Sequence, residues 1–415
     1  MGKTKKRILS IFLAVMTATT MLVALPAKAL AVGEVCEIVE TGVQYMTLDD
    51  ALMAYTSGET IKFLDDITET TSVYVYGGDE LTIDLDGYNW DLNGTSFGAD
   101  GGTLTVKNGG TITTDAIEAC YDGTVTIEGG TVIVSFVDAY EDGTLTIECD
   151  TVTVGYNIQA WTDGTIAIEC DTVTASYIAA WDGATLSITA DINIDDSLYA
   201  GGDGTTITVV GNINSTNTGV YAEDDATITV TGNIDAVNWA AFASYGATIT
   251  VTGDVSIIYT DPDEAYVVVT WNGGNVIING NVTGTGGSLV TGVYCEYNSQ
   301  ATINGTIDAP RYISLGWWDD EFGNPYEMIL TAEDFITPSS RDGYLEYSIS
   351  YELQGIEYFD VVWVVSIQPN LPLPVDPTLP GTGDTRTLIL GSFILLLALM
   401  GAGALVLSRR KAQQS

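Results

Sequence analysis

The chain has 415 residues, of which 55 are acidic, 13 are basic and none is histidine, which gives a formal net charge of −42 at pH 7. A charge of this sign repels nucleic acids and anionic lipids, so we exclude nucleic-acid binding. Apolar residues make up 46% of the chain, too many for a disordered acidic polymer. The five cysteines show no CxxC spacing and do not predict a zinc site.

The N-terminus has the three parts of a secretory signal peptide. A basic stretch at residues 3–7 precedes an apolar segment at residues 8–25. Small residues at alternate positions between 27 and 31 then offer a cleavage site, namely Ala27, Ala29 and Ala31. We therefore predict that residues 1–31 are a signal peptide and that the mature chain is secreted.

A repeat of about 21 residues organises the middle of the chain. Successive segments that open with Asp-Gly or a related pair contain short runs in which apolar and polar residues alternate, such as residues 142–156. Alternation of this kind predicts strands with one buried face. Strands this short bury that face by stacking on the next repeat at ~4.8 Å. The sequence therefore predicts an all-β fold, a parallel β-helix over residues 59–307.

The repeats resemble the pectin-lyase-like family of right-handed parallel β-helices over roughly residues 45–305. The resemblance implies a right-handed coil, which the repeat length alone does not fix. Residues 45–64 are similar to the capping helix and first coil of bacterial surface β-helices. We therefore expect residues 32–58 to form an N-terminal cap that covers the open apolar end of the coils.

The third strand of each repeat places two columns of side chains on the outer surface. An aliphatic residue and an alanine are expected to face the core, so the residue between them and the one after the alanine face outward. Two interpretations remain open: the rings stack to shield the backbone, or they form a surface for sugar rings or for a partner's apolar side chains. The predicted ligand face comprises Glu118, Asp138, Tyr140, Trp161, Trp181, Tyr199 and Tyr221.

An aspartate recurs at one corner of successive repeats. Asp-Gly suits a tight turn in which the glycine takes a positive φ, and this turn chemistry is one explanation of the column. Like charges ~4.8 Å apart repel, so bridging by calcium is the alternative, although the chain lacks the GGxGxD repeat of calcium-binding solenoids. The calcium candidates are Asp122, Asp142, Asp163 and Asp182. No other cofactor is indicated.

Two of the five cysteines occur in identical Ile-Glu-Cys-Asp-Thr-Val contexts one repeat apart, namely Cys149 and Cys170. Their predicted separation permits a disulfide bond. The alternative is a stack of two reduced thiols that face the core. An odd number of cysteines leaves at least one thiol free in an exported protein, unless two chains pair.

The repeats are predicted to end near residue 307. Residues 308–367 are rich in aromatic side chains and contain strand candidates at 344–351 and 360–367. We expect them to form a small C-terminal β cap. Residues 368–378 are rich in proline and predict a short, stiff linker.

The last 37 residues, 379–415, combine a pentapeptide, an apolar segment at 388–407 and a basic tail. The apolar segment can span a ~30 Å hydrocarbon core, and the tail resists translocation. The pentapeptide resembles the LPXTG sorting signal of Gram-positive surface proteins through Leu379, Pro380, Gly381, Thr382 and Gly383. The resemblance implies a precursor held transiently in the plasma membrane, from which a sortase joins Thr382 to peptidoglycan. An ordinary transmembrane anchor is the alternative.

Removal of both ends leaves 54 acids and only four bases, a formal charge of −50; the bases are Lys62, Lys107, Arg311 and Arg341. Many pectin-lyase-like proteins cleave acidic polysaccharides with the help of cations or histidine, which are scarce or absent here. We therefore predict a secreted surface protein, covalently attached to the cell wall, whose β-helix is a non-catalytic adhesin or a glycan- or protein-binding module. The alternatives are a polysaccharide lyase or carboxylate-only hydrolase, and a structural envelope coat.

Overall fold

The computed structural model describes residues 33–259, 264–319, 324–353 and 356–366. These residues form an all-β solenoid of about 12 turns with coils of about 21 residues. This confirms the predicted parallel β-helix. Within the described ranges, no helix is long and apolar enough to cross a membrane. The predicted signal peptide, proline-rich linker and sorting signal lie outside these ranges.

Two short strands and one helix precede the first coil. The helix begins after Thr47, whose hydroxyl oxygen accepts a hydrogen bond from the backbone N–H of Asp50 at 3.1 Å. This bond satisfies one of the N–H groups that a helix N-terminus leaves unpaired. Leu48 and Ala51 on the inner face of the helix are buried in the hydrophobic core. The three elements are the strands Cys36–Ile38 and Val43–Tyr45 and the helix Leu48–Ala54.

Each complete coil contributes strands to three parallel sheets, here named A, B and C in chain order within a coil. Sheet A contains Thr60–Phe63, Glu80–Asp84, Thr103–Lys107, Thr124–Glu128, Thr144–Glu148, Thr165–Ala175, Thr185–Ile194, Thr206–Val210, Thr227–Thr231, Thr248–Val251, Asn275–Ile278, Gln300–Ile303 and Ile356–Val365. Sheet B contains Ile67–Thr68, Trp90–Asp91, Thr111–Cys120, Thr131–Tyr140, Thr151–Trp161, Ile213–Ser215, Ile234–Ala236, Val255–Ile258, Val282–Thr285 and Ile307–Asp308. Sheet C contains Val73–Tyr76, Phe97–Asp100, Tyr177–Trp181, Leu198–Gly201, Thr218–Glu223, Trp239–Ser244, Ala265–Trp271, Val290–Glu296 and Arg311–Asp319.

Five long strands pass through a corner and serve two sheets. The strands Thr165–Ala175 and Thr185–Ile194 continue from sheet A into sheet B. Three others continue from sheet B into sheet C, namely Thr111–Cys120, Thr131–Tyr140 and Thr151–Trp161. The chain therefore turns these corners without a loop, and the inward–outward alternation is interrupted at the corner in four of the five strands; it continues unbroken in Thr185–Ile194.

Successive coils stack in register, so that each inward position lies above the same position of the coil before. In sheet A, Val125 pairs with Leu145, which in turn pairs with Ile166. All three side chains are fully buried. Burial of one such side chain contributes about 1.5–3 kcal/mol relative to exposure. The predicted two-residue period is thus the inside–outside alternation of a continuous apolar core.

The C-terminal region extends the parallel sheets before it turns back. Arg311–Asp319 pairs in parallel with Val290–Glu296 of sheet C, and Ile356–Val365 pairs in parallel with Gln300–Ile303 of sheet A. Each of these two strands also pairs with an antiparallel partner, Asn324–Leu330 or Tyr344–Leu353 respectively. Parallel stacking therefore continues beyond the last repeat that is visible in the sequence.

The corner aspartates adopt a turn that differs from the expected one. At Asp122 and Asp142 the aspartate itself has the positive φ, 64° in each case, and the following glycine does not. Glycine is needed there because a Cβ at Gly143 would lie 2.0 Å from the carbonyl oxygen of Ala119 in the preceding coil. The expectation that the glycine supplies the positive φ is therefore wrong at these corners. It holds at a later corner, where Gly183 has a φ of 83°.

We predict that Gly143→Ala lowers the free energy of unfolding by at least about 2 kcal/mol, because the added methyl group forces two backbone segments apart. Gly155→Ala is the matched control. Gly155 is exposed, and a Cβ there would come no closer than 3.7 Å to any neighbour. Its substitution should change stability by less than about 1 kcal/mol. Denaturant unfolding followed by circular dichroism measures both, and equal stabilities of the two variants would contradict the steric explanation.

Candidate functional site

The outward columns of sheet C hold all seven side chains of the predicted ligand face. The first column contains Glu118, Asp138, Tyr199 and Tyr221, and the second contains Tyr140, Trp161 and Trp181. Gln159 and Ala179 occupy the first column between Asp138 and Tyr199. The carboxylates therefore lie on earlier coils than the two tyrosines, and the face divides into an acidic part and an aromatic part.

Trp161 and Trp181 stack directly on each other. Their ring centroids are 4.0 Å apart and their planes differ by 19°. This contact covers one face of each ring, and Trp181 is also 5.5 Å from Tyr199 at an angle of 44°. A sugar binds an aromatic side chain through the electron-rich ring face. The stacked pair therefore exposes less ring face to a sugar than two separate rings would. The geometry is the one expected if these tryptophans shield the backbone.

A groove of about 600 Å³ lies beside this stack. Its aromatic lining consists of Tyr177, Tyr199, Tyr221 and Trp239. Here the neighbouring rings are not stacked: Tyr177 and Tyr199 are tilted by 32° at 6.4 Å, and Tyr199 and Tyr221 are edge-to-face at 84° and 5.3 Å. Tyr221, however, also stacks on Phe242, with ring centroids 4.7 Å apart and planes 5° apart, which covers one face of its ring. Among the described residues, the ring contacts of Tyr177 and Tyr199 are tilted or edge-to-face, so these two rings leave more of their faces to a ligand than a ring inside a parallel stack does. Trp239 remains 36% exposed.

Polar groups line the groove together with the rings. Asn157, Asp196 and Asn217 provide amide and carboxylate groups, and Ser197 and Thr218 provide hydroxyls. The Asn217 side-chain N–H donates to a carboxylate oxygen of Asp196 at 2.7 Å. The combination of apolar ring area with a few fixed donors and acceptors is typical of ligand sites.

Glu223 fixes two of the groove tyrosines. The Tyr221 hydroxyl donates to Glu223 Oε2 at 2.5 Å, and the Tyr199 hydroxyl donates to the other carboxylate oxygen. Burial, reinforced by these hydrogen bonds, raises the pKa of Tyr221 to about 12 and raises the pKa of Tyr199 further above its usual range. Both phenols therefore stay protonated at neutral pH, and one carboxylate orients both rings.

Sequence reasoning identified Tyr199 and Tyr221 but missed the other residues of the groove. Tyr177 and Asn157 stand two positions before the first column in their coils, and Trp239 begins its strand. Asp196 and Asn217 lie in turns between sheets B and C. The available signal was the repeated Asp or Asn one coil apart, since the Asn217 amide bonds to Asp196 below it and to Asn238 above it.

The acidic part of the face contains a carboxyl group with an unusual proton affinity. Burial, and to a smaller extent the charge of Glu118 on the neighbouring coil, raise the pKa of Asp138 to about 6. Glu118 itself accepts a hydrogen bond from the Tyr74 hydroxyl. Desolvation of a carboxylate favours its neutral form, so Asp138 takes up a proton at a higher pH than an exposed aspartate does.

The corner aspartates do not converge on a metal site in the part of the chain that the structure describes. All four of these aspartates are exposed, and each lies on a different coil: Asp122, Asp142, Asp163 and Asp182. Among the described residues, no group of three or more histidine, cysteine, aspartate or glutamate side chains could hold a metal ion. Calcium binding by this column stays a prediction.

Cys149 and Cys170 are both thiols in the structure and are half-buried against the core. Their thiols donate at 3.4 Å to the carbonyl oxygens of Thr151 and Thr172 respectively. The contact between the two sulfurs, together with burial, raises the pKa of Cys149 well above its usual range. The disulfide between them stays a prediction.

We predict that Asp138 contributes more to the free energy of unfolding at about pH 4.5 than at pH 7. A carboxyl group whose pKa is raised by folding binds protons more tightly in the folded state, so the free energy of unfolding falls as pH rises from about 4 through 6. Asp138→Asn should raise stability at pH 7 by about 1 kcal/mol, allowing for partial exposure, and should flatten this dependence.

Asp171→Asn is the control for the loss of one negative charge, because Asp171 is an exposed aspartate on the surface. Melting temperatures across pH 4 to 8 measure all three proteins. An Asp138→Asn profile as steep as that of the control would contradict the raised pKa.

No protein family, curated protein or solved structure matches this chain in comparisons with known proteins. The parallel β-solenoid is consistent with the pectin-lyase-like fold expected from the repeats. A fold of this kind does not by itself define an activity. The function must therefore be argued from the groove and the surface around it.

Proposed function

We propose that this protein is an exported surface protein of the Gram-positive cell wall. The proposal is supported by sequence features at both ends: a signal peptide at residues 1–31 and the sorting pentapeptide at residues 379–383, followed by an apolar segment and a basic tail. A sortase would cleave after Thr382 and link the mature chain covalently to peptidoglycan. The β-helix would then be displayed outside the membrane.

The β-helix binds an oligosaccharide in the groove beside the tryptophan stack. The observation that carries this proposal is that tilted aromatic rings and amide, hydroxyl and carboxylate groups line one open groove of about 600 Å³. A sugar ring presents C–H groups on its faces and hydroxyls around its edge, and it needs both kinds of partner. A groove that is open along its length suits a chain of sugars better than a single small molecule.

Hydrolysis of a polysaccharide is the second candidate. It is favoured by one observation: Glu118 and Asp138 are paired on neighbouring coils, and the pKa of Asp138 is raised to about 6. Glycoside hydrolysis uses a pair of carboxyl groups, of which the general acid has a raised pKa. Release of sugar products, lost in Asp138→Asn, would establish this activity in place of binding alone.

We predict that Trp239→Ala weakens oligosaccharide binding roughly tenfold, about 1.4 kcal/mol, because it removes an exposed ring from the groove. The full-length chain, purified in mild detergent, is screened against neutral oligosaccharides by calorimetry, and the ligand found is then titrated into the variant.

Trp271→Ala is the matched control. Trp271 is also on sheet C, but its ring contacts Tyr245 and Tyr297 instead of the groove. Binding should be unchanged in this variant. An equal loss of oligosaccharide affinity in the two variants would mean that the ligand binds outside the groove. If the unmodified chain binds no oligosaccharide, a structural coat would be favoured.

We predict that Thr382→Ala moves the protein from the wall fraction to the membrane fraction in a Gram-positive host with a sortase, because the scissile residue is lost. Thr378→Ala, four residues earlier and outside the pentapeptide, should leave wall attachment intact. Muramidase digestion followed by immunoblotting measures the fraction released. Release of the Thr382→Ala chain at the unmodified level would refute sortase anchoring and favour the ordinary membrane anchor.

A further inference from the structure

The groove carries negative charge and no positive charge. Asp196 lines it directly, and Glu223 lies behind two of its rings. None of the four basic residues of the described chain lines the groove. Two are engaged in ion pairs, Lys62 with Asp86 and Arg311 with Glu264. A ligand in the groove therefore meets carboxylates without a compensating cation.

The remaining basic residues are equally removed from the groove. Lys107 ends a strand of sheet A, and Arg341 lies over the ring of Tyr344 at 4.2 Å in the C-terminal region. The negative charge affects a groove residue directly. Burial, and to a smaller extent the charges of Asp196 and Glu223, raise the pKa of Tyr177. The Tyr177 hydroxyl is therefore neutral and can donate a hydrogen bond to a ligand, whereas the hydroxyls of Tyr199 and Tyr221 already donate to Glu223.

Asp196 has free capacity for a cationic partner. One of its carboxylate oxygens accepts from the Asn217 amide at 2.7 Å, and the side chain is exposed to solvent. A carboxylate offers about four acceptor positions, so this bond leaves room for a charged donor. The Asn217 bond also holds the carboxylate in one orientation at the edge of the groove.

We propose that the groove selects oligosaccharides that carry protonated amines over their neutral counterparts and rejects those that carry carboxylates, with Asp196 as the residue that pairs with the amine. This inference rests on the proposed glycan binding and names the chemical class of the glycan. The tilted rings bind the C–H faces of the sugars, and the amides bind their hydroxyls. The Asp196 carboxylate forms an ion pair with the protonated amine. Electrostatic complementarity of this kind sets selectivity more than affinity.

The experiment compares three oligosaccharides of equal length: a glucosamine tetramer, the N-acetylglucosamine tetramer and a galacturonate tetramer. The full-length chain is immobilised through its C-terminus, and binding is measured at low salt and mildly acidic pH. We expect the amine to bind about three- to tenfold more tightly than the N-acetyl form, the worth of one partly exposed ion pair, and the galacturonate not to bind.

Two variants separate a local effect from the overall charge of the protein. Asp196→Asn should abolish the preference for the amine, so that the glucosamine and N-acetylglucosamine tetramers bind with affinities within about twofold of each other. Asp195→Asn removes the same charge from the adjacent exposed residue, which does not line the groove, and should keep the preference. A peptide of four lysines serves as a cation without sugar rings.

Each outcome has one consequence. If the amine and N-acetyl forms bind equally, or if the two variants lose the preference to the same extent, the role of Asp196 is refuted while glycan binding stands. If neither sugar binds, the proposed function itself fails. If the lysine peptide binds and depends on Asp196 while the N-acetyl tetramer does not bind, the groove is a site for basic peptides and the proposal is overturned.

Discussion

The spacing of ~4.8 Å between coils, set by the parallel hydrogen-bond ladders, governs the rest of this structure. It makes the nearest neighbours of any side chain the residues at the same position one coil above and below. The side chains of one column must therefore be compatible with one another at contact distance. Aliphatic columns form the core, aromatic columns stack, and corners where the backbones touch admit only glycine, as at Gly143.

Two solutions to repeated polar columns are visible. In the earlier coils, Glu118 lies beside Asp138, and burial together with the charge of Glu118 raises the pKa of Asp138 to about 6. In the later coils, two asparagines stand between the acids Asp191 and Asp254 at one corner. The side-chain oxygen of Asn212 accepts the backbone N–H of Asn233 at 3.0 Å, and Asn233 does the same for Asp254 at 2.8 Å. The asparagines add hydrogen bonds to this column without adding charge.

The sequence was sufficient to predict the fold, because a two-residue period repeated every 21 residues has few other structural solutions. It also placed Trp161 and Trp181 in one column correctly. It could not predict that the two rings cover each other, since ring orientation depends on packing between coils. Nor could it predict the groove, because Asp196 and Asn217 lie in turns, and strand periodicity carries no information about where turn residues point.

The groove takes its rings from separate coils: Tyr177, Tyr199 and Tyr221 occupy three consecutive turns of the solenoid. Duplication or deletion of a single coil during evolution would leave the ladders, the core and the corners intact. It would lengthen or shorten the groove by one ring. If the groove binds oligosaccharides as we propose, the length of the ligand would therefore follow the number of coils, and it would change in whole steps without new binding chemistry.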